Sequence, residues 1–432
     1  MRLGFILAGL GVLLFFASLA YYGNKRSTYL LFVIYFLPFV DLWVTPSSLG
    51  NLSVFDFITF VSAAIFFKDI SSVTRGNRFY VFVFVLFFLL MLFGSIASEF
   101  VSWSLIHIPP ILTPFIYAAL LMRELRENDL FLHRLIAALK TTALVGVFFV
   151  LMQMLVGVGF THYDTLNTNV LDSSGTRYPG FFMDAQVNGV FMSMTGFLFL
   201  INFSDPSKPV FKNYWQFGLL VGAAVMAGSR SPLMGFAAGI VFLILFVGGR
   251  FRPTFLVFAI IAAMLIFLFS DNIIVFKRFG QVSDSLDFRA SLWADAWRIY
   301  YKEYVLGIGV ENYQQYITLH SQDQFLMLDN DEIAYLMQPE NGYLKWLVEF
   351  GLFGTSLLFI MILAPMLRVI YNFVNGHKIV LLFFFIAPIV AWFISFTSLY
   401  TLYDKRIVIL LVTYLVILAT YPFDITMQHQ HD

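Results

Sequence analysis

The sequence predicts an all-α, polytopic transmembrane fold of about 12–14 spans with one long outward-facing loop containing amphipathic helices. Two bulk observations carry that prediction: 60% of the 432 residues are hydrophobic, and only 12% are charged. Soluble domains carry roughly 25% charged residues, so a water-soluble fold of this length could not hide so much apolar surface. The third is the arrangement of the apolar residues in long uninterrupted runs, without the alternation of a barrel strand. A formal net charge of +0 argues against a nucleic-acid partner. The absence of cysteine excludes disulfides, thiolate catalysis and cysteine zinc sites.

Windows long enough to cross a bilayer as helix, about 20 residues, fall near 3–22, 28–46, 52–67, 79–97, 105–122, 135–157, 181–202, 214–228, 232–249, 253–270, 341–367, 379–400 and 407–422. The first also fits a secretory signal pattern; we read it as a retained span. The chain is thus a single integral membrane domain over 1–432, with a shorter outer loop at 158–180 and a longer one at 271–340.

Orientation follows from the lysines and arginines of the short loops. Lys25, Arg26, Lys68, Arg75, Arg78, Arg123, Arg126, Arg134, Lys208, Lys212, Arg250, Arg252 and Lys378 occupy one alternating set, which is expected to be cytoplasmic. The turns near Pro46 and Ser102 and both longer loops then face outward. Lys405 and Arg406 break this pattern.

The 271–340 loop is too long for a simple connection, and such loops are usually functional or disordered. Its stretch from Ser285 to Tyr300 predicts an ordered helix with Trp293, Trp297 and Tyr301 on one face, and Arg289, Asp295 and Arg298 nearby. An interfacial anchor and a sugar-packing surface are both consistent with those aromatics. Leu306-Gly-Ile-Gly lacks the strand, helix and third glycine of a dinucleotide loop, so no nucleotide site is expected.

Charged residues inside or beside spans are costly, at least ~2.5–3.5 kcal/mol for arginine on insertion scales. Arg230, in a hairpin too short to be a solvated loop, either snorkels to the headgroups or faces a polar cavity. Arg177 lies just before a span whose start carries Asp184, Gln186 and Asn188. A third cluster opens with Glu340 and Asn341, and Glu349 follows in the same predicted helix. Glu340 either stabilises a helix N-terminus or serves as a titrating group. Guanidinium forks match phosphate oxygens bidentately and never lose their charge. Several outward arginines beside a carboxylate, without an acidic cluster for Mg²⁺, therefore point to metal-free handling of a diphosphate.

The ordered motifs Arg177-Tyr-Pro-Gly-Phe-Phe with Asn188, Gly228-Ser-Arg-Ser-Pro-Leu-Met-Gly, Phe288-Arg-Ala-Ser-Leu-Trp with Leu306-Gly-Ile-Gly, and Glu340-Asn-Gly-Tyr-Leu with Glu349-Phe-Gly resemble the O-antigen ligase and polymerase superfamily over about residues 175–355. The resemblance implies a glycosyltransferase of the bacterial inner membrane, its long loop capping a site that faces the periplasm. It implies a polyprenyl-diphosphate-linked glycan donor and acceptor such as those on undecaprenyl diphosphate, contact with membrane lipids, and a chain-length regulator protein as partner. By the same resemblance Arg177, Arg230 and Arg289 hold the diphosphate. Our own reading of the residues makes Glu340 the general base, groups Arg230 and Arg289 with it as catalytic through the leaving diphosphate, and expects Asn188, Asn341, Trp293 and Trp297 to contact substrate. Ligases of the family carry a histidine where this chain has Glu340, which favours a Wzy-type repeat-unit polymerase. A ligase acting on lipid A core and a lipid-linked oligosaccharide transporter remain the alternatives, although no repeated halves are visible.

Overall fold

The computed structural model describes residues 2–23, 25–45, 51–163, 166, 171–172, 175–203, 211–247, 253, 282–320, 325–327, 333–335, 339–377 and 380–421. The expected span at 253–270, the turn near Pro46, Lys208, Arg250, Arg252, Lys378 and the chain beyond Tyr421 lie outside these residues.

The helices are α1 (Arg2–Tyr22), α2 (Arg26–Tyr35), α3 (Val54–Ile65), α4 (Phe67–Gly76), α5 (Arg78–Ala97), α6 (Val101–Glu127), α7 (Phe131–Val156), α8 (Ala185–Gly196), α9 (Phe211–Met226) and α10 (Arg230–Phe246). After the long loop's α11 (Val282–Lys302) and α12 (Tyr313–His320) come α13 (Gly342–Val374), α14 (Val380–Phe396) and α15 (Lys405–Thr420). Among the described residues, two short antiparallel pairs, Leu171–Asp172 with Gly175–Thr176 and Phe325–Met327 with Ile333–Tyr335, lie in the two longer loops.

Every expected span within the described residues is a helix or a helix extended by a 3₁₀ turn, so the all-α polytopic class holds. Among the described residues, five helices are long and apolar enough to cross a bilayer on their own: α1, α5, α6, α7 and α13. Others are shorter: α2 and α8 continue into the 3₁₀ turns Leu37–Phe39 and Phe197–Leu200. Such breaks are tolerated where protein rather than lipid surrounds them, and residues 185–200 are all buried. The close pair is α10 against α14. Gly235 and Gly239 form a small-xxx-small stripe, and a Cβ on Gly235 would lie 2.6 Å from the Ala391 carbonyl oxygen.

Charged residues mark the two ends of the bundle. Arg26 pairs with Asp69, Glu124 and Glu127, drawing together α2, α4 and α6, while Arg126 donates to Asn77. These belong to the set expected to be cytoplasmic. The opposite end of α6, about 40 Å away at 1.5 Å per residue, meets the long loop through the Trp103 indole, which donates to the Glu311 carbonyl at 3.0 Å.

Lys405 and Arg406, which break the loop-charge pattern, are neutralised where they stand. Lys405 Nζ lies 3.0 Å from the fully buried Asp56, and Arg406 pairs with Asp404 at 2.5 Å and Asp41 at 3.5 Å. They are structural cations inside the protein, not exposed loop charges.

Candidate active site

The site is built where the segment ahead of α8, the α9–α10 turn, α11 and the start of α13 converge. Asp184 caps α8, accepting from Gln186 N–H at 2.6 Å, so a short polar side chain ends the loop and fixes where the helix starts. Just upstream, Arg177 is 2% exposed and donates through Nε to the Ala227 carbonyl at 3.1 Å. The backbone N–H of Tyr178 donates to the Met226 carbonyl at 3.1 Å. Arg177 is thereby docked on the turn that carries Arg230, itself the first residue of α10 and half-buried. Gln186 also reaches this turn and the end of α14, at 3.5 Å from Ser231 Oγ and 3.2 Å from Ser398 Oγ.

On the facing side Arg289 of α11 meets Glu340 at 3.4 Å, with each side chain about a quarter exposed at 25% and 26%. Glu340 sits at φ 49°, in the left-handed region that costs a residue with a Cβ on the order of 1–3 kcal/mol. Burial raises its carboxyl above the usual range; Arg289 opposes that, Asp184 pushes it higher, and Arg177 opposes it again. That electrostatic reach joins the two halves: Arg177 and Asp184 from one, Arg289 and Glu340 from the other. A partly shielded carboxylate among guanidiniums can accept a proton while the cations hold an anionic leaving group. Among the described residues, no three His, Cys, Asp or Glu side chains gather in a way that would hold a metal ion.

The remaining expected substrate contacts are placed differently. Asn188 is fully buried and donates to the Tyr178 carbonyl at 3.0 Å, so it braces the Arg177 loop instead of facing an opening. Asn341 is the N-cap of α13 and accepts from the Leu344 N–H at 3.2 Å. It takes the helix-capping part that Glu340 was a candidate for. Trp293 packs against the small core of Ala296, Ile299, Tyr313 and Val348, whereas Trp297 is 41% exposed and Tyr301 73%. The helix turns its Leu292–Ala296–Ile299 face inward, and only the later aromatics reach the surface.

Residues that position the site were missed in the sequence. Gln153 of α7 pairs with both backbone groups of Gly180, and Arg406 donates to the Phe181 carbonyl at 2.7 Å, its guanidinium 4.1 Å from the Phe182 ring. His162 fills the space beside them among Phe39, Phe149 and Tyr163. Burial, then Arg406, pushes its imidazole down to about 3, so it is a neutral ring at physiological pH.

A buried charge cluster also supports α13. Lys345 Nζ lies 3.1 Å from Glu311 and 3.7 Å from Glu349, under the Tyr400 ring at 4.2 Å. Burial alone would raise the Glu311 carboxyl, but Lys345 brings it below its ordinary value.

These features define a polytopic helical membrane protein in which Arg177, Asp184, Arg289 and Glu340 gather at one end of the bundle. Residues 216–359 match the family model described as O-Antigen ligase, which supports a place in the O-antigen ligase/polymerase superfamily. The matched segment contains Arg230, Arg289 and Glu340; Arg177 and Asn188 precede it. No curated protein matches the chain.

Proposed function

We propose that this protein is a membrane glycosyltransferase that polymerises polyprenyl-diphosphate-linked oligosaccharide repeats at the outer face of the bacterial inner membrane. The observation that carries the reading is the Arg289–Glu340 pair lying within electrostatic reach of Arg177 and Asp184. An acceptor sugar hydroxyl attacks the anomeric carbon of the donor chain. A new carbon–oxygen bond forms, the bond to the diphosphate oxygen breaks, and polyprenyl diphosphate leaves.

Glu340 takes the hydroxyl proton, a role worth typically 10²- to 10⁴-fold. Arg230 and Arg289 hold the leaving diphosphate, with the buried Arg177 adding its charge from beneath the turn; one lost donor costs ~3 kcal/mol, more than a hundredfold in rate. Direct displacement inverts the anomeric centre.

The family description favours a second reading, ligation of finished glycan to lipid A core. The two differ in product: a longer lipid-linked chain or a capped core. The test is Arg230→Ala and Glu340→Ala in cells lacking the native gene, with glycan ladders and core-linked glycan both read by electrophoresis. Loss of the ladder in each variant, with protein present in the membrane, is expected. Wild-type ladders from either variant remove that residue from the chemistry, and core-linked glycan without a ladder from the unmutated chain makes it a ligase.

A further inference from the structure

The same end of the bundle holds a cleft of mixed polar and apolar lining, distinct from the Arg177 turn. A cavity of about 230 Å³ lies between the α5–α6 turn and the end of α11, lined by Ser98, Glu99, Lys302, Glu303, Tyr304 and Tyr316 among others. A smaller pocket adjoins it, sharing Lys302 and Tyr316 and adding Asp295, Arg298 and His320. Arg177, Arg230, Arg289 and Glu340 line neither.

The carboxylates of this cleft, Glu99, Asp295 and Glu303, outnumber its permanent cations, Arg298 and Lys302. His320 Nε2 lies 2.7 Å from Glu99, and Arg298 lies 2.5 Å from Asp295. Such a surface has no cationic excess with which to select a diphosphate, and covering its carboxylates with a hydrocarbon chain would cost their hydration. It suits a neutral polyhydroxylated ligand: carboxylates accept from hydroxyls, the ammonium and guanidinium donate, and tyrosine rings offer an apolar face to a sugar. The volume is below the ~300 Å³ at which drug-sized pockets begin, a scale fitting one or two sugar rings.

A strip of exposed aromatics runs toward it along one side of α11 and past its end. Trp297, Tyr301 and Tyr304 are 41%, 73% and 53% exposed, and the first two rings are 5.9 Å apart. Arg289 and Lys302 stand on this one helix, thirteen residues apart, roughly 20 Å along its axis. A glycan with its reducing end beside Glu340 and its body along α11 would reach the cleft several sugars from the transfer point.

We propose that this cleft is a saccharide subsite that holds the growing chain away from the point of transfer. The inference rests on the polymerase reading above. The test uses the full chain purified in detergent and, as probe, the lipid-free repeat oligosaccharide released by mild acid from the host's own lipid-linked glycan. Glu303→Ala and Tyr304→Ala alter exposed side chains and leave the helix packing in place. Calorimetric titration should show binding by the unmutated chain weakened at least about tenfold in both variants, and product ladders in cells should shift to a shorter modal length. Unchanged binding in both variants overturns the subsite. Weakened binding with an unchanged ladder overturns its assignment to the growing chain. An unmutated chain that makes no ladder at all fails the polymerase reading instead, and the binding arm still decides whether the cleft takes sugar.

Discussion

The side-chain amide of Gln153 holds Gly180 by both backbone groups, Nε2 donating to its carbonyl and Oε1 accepting from its N–H, each at 2.8 Å. Gly180 stands at φ +62°, and a Cβ there would meet Asn188 Oδ1 at 2.9 Å, so residue type and partner are both constrained. Three residues upstream is Arg177. The amide thus fixes the backbone from which that guanidinium extends.

Gln153→Leu leaves a buried N–H and carbonyl without partners, costing roughly 1–3 kcal/mol for each group. A lowered Tm and slower donor consumption are expected in the detergent-purified chain. If Gln153 acts through Arg177, then adding Gln153→Leu to Arg177→Ala should lower activity no further. Additive losses in that double variant would show that the amide acts elsewhere.

A base with a raised pKa gives a rate that climbs with pH as the carboxyl ionises. Glu340 lies above its ordinary value through burial, with Arg289 opposing and Asp184 reinforcing. Arg289→Ala removes an opposing cation, so the acid limb of the pH–rate profile should move to higher pH, on top of a lower plateau. Asp184→Asn removes a like charge and keeps a competent helix cap, so the limb should move to lower pH. Initial rates of donor consumption between pH 4 and 9 test both signs; limbs that do not move would take Glu340 out of the role of base.

The apolar windows made the bundle legible because a span must satisfy its own backbone, which leaves a long hydrophobic run as its signature. Arg177 and Arg230 were legible as charge where charge is expensive and Glu340 as a carboxylate at a span boundary, whereas Arg289, on the loop helix, was singled out by the family resemblance. Asn188 and Asn341 were legible as polar but not as bracing groups, since only the fold shows Asn188 donating to Tyr178 O and Asn341 accepting from Leu344 N. Gln153 left one signal, a lone amide near the end of an apolar run. Arg406 left another, as a violation of loop charge, yet its meaning depended on Asp41, 365 positions away in sequence.

Arg406 is the cation on which several segments depend: it binds Asp404 through two nitrogens and reaches the Phe181 and Pro38 carbonyls. Removing one partner of a buried pair typically costs ~3–5 kcal/mol because the other charge is left uncompensated. Arg406→Met should therefore abolish recovery of monodisperse protein or lower Tm sharply. Arg406→Met combined with Asp404→Asn should recover part of that loss, since no lone carboxylate then remains at Asp404. Equal yields and Tm for the single and double variants would show that the pair is not the source of the effect.

The helix of Glu349 is broken at Gly351, at φ 64° and ψ −173°, and the long loop fills the break. Leu352 N–H donates to the Tyr304 carbonyl at 2.8 Å, while Ile308 and Gly309 N–H donate to the Val348 and Glu349 carbonyls at 2.9 and 3.2 Å. The Gly-x-Gly that has no nucleotide role is explained here. A Cβ on Gly307 would lie 2.5 Å from the Glu349 carbonyl, and one on Gly351 would lie 2.3 Å from the Val305 carbonyl oxygen. Both obstructions are backbone, and both glycines have positive φ, so neither side can yield by rotating a side chain. Gly351→Ala should expel the 304–309 segment, deprive Glu311 of its place beside Lys345, and expose new protease sites between α11 and α13. Limited proteolysis of membranes checks this: cleavage in that interval should rise at least about tenfold over the unmutated chain. An unchanged pattern would mean that the loop is held by α12 and the Trp103 contact alone.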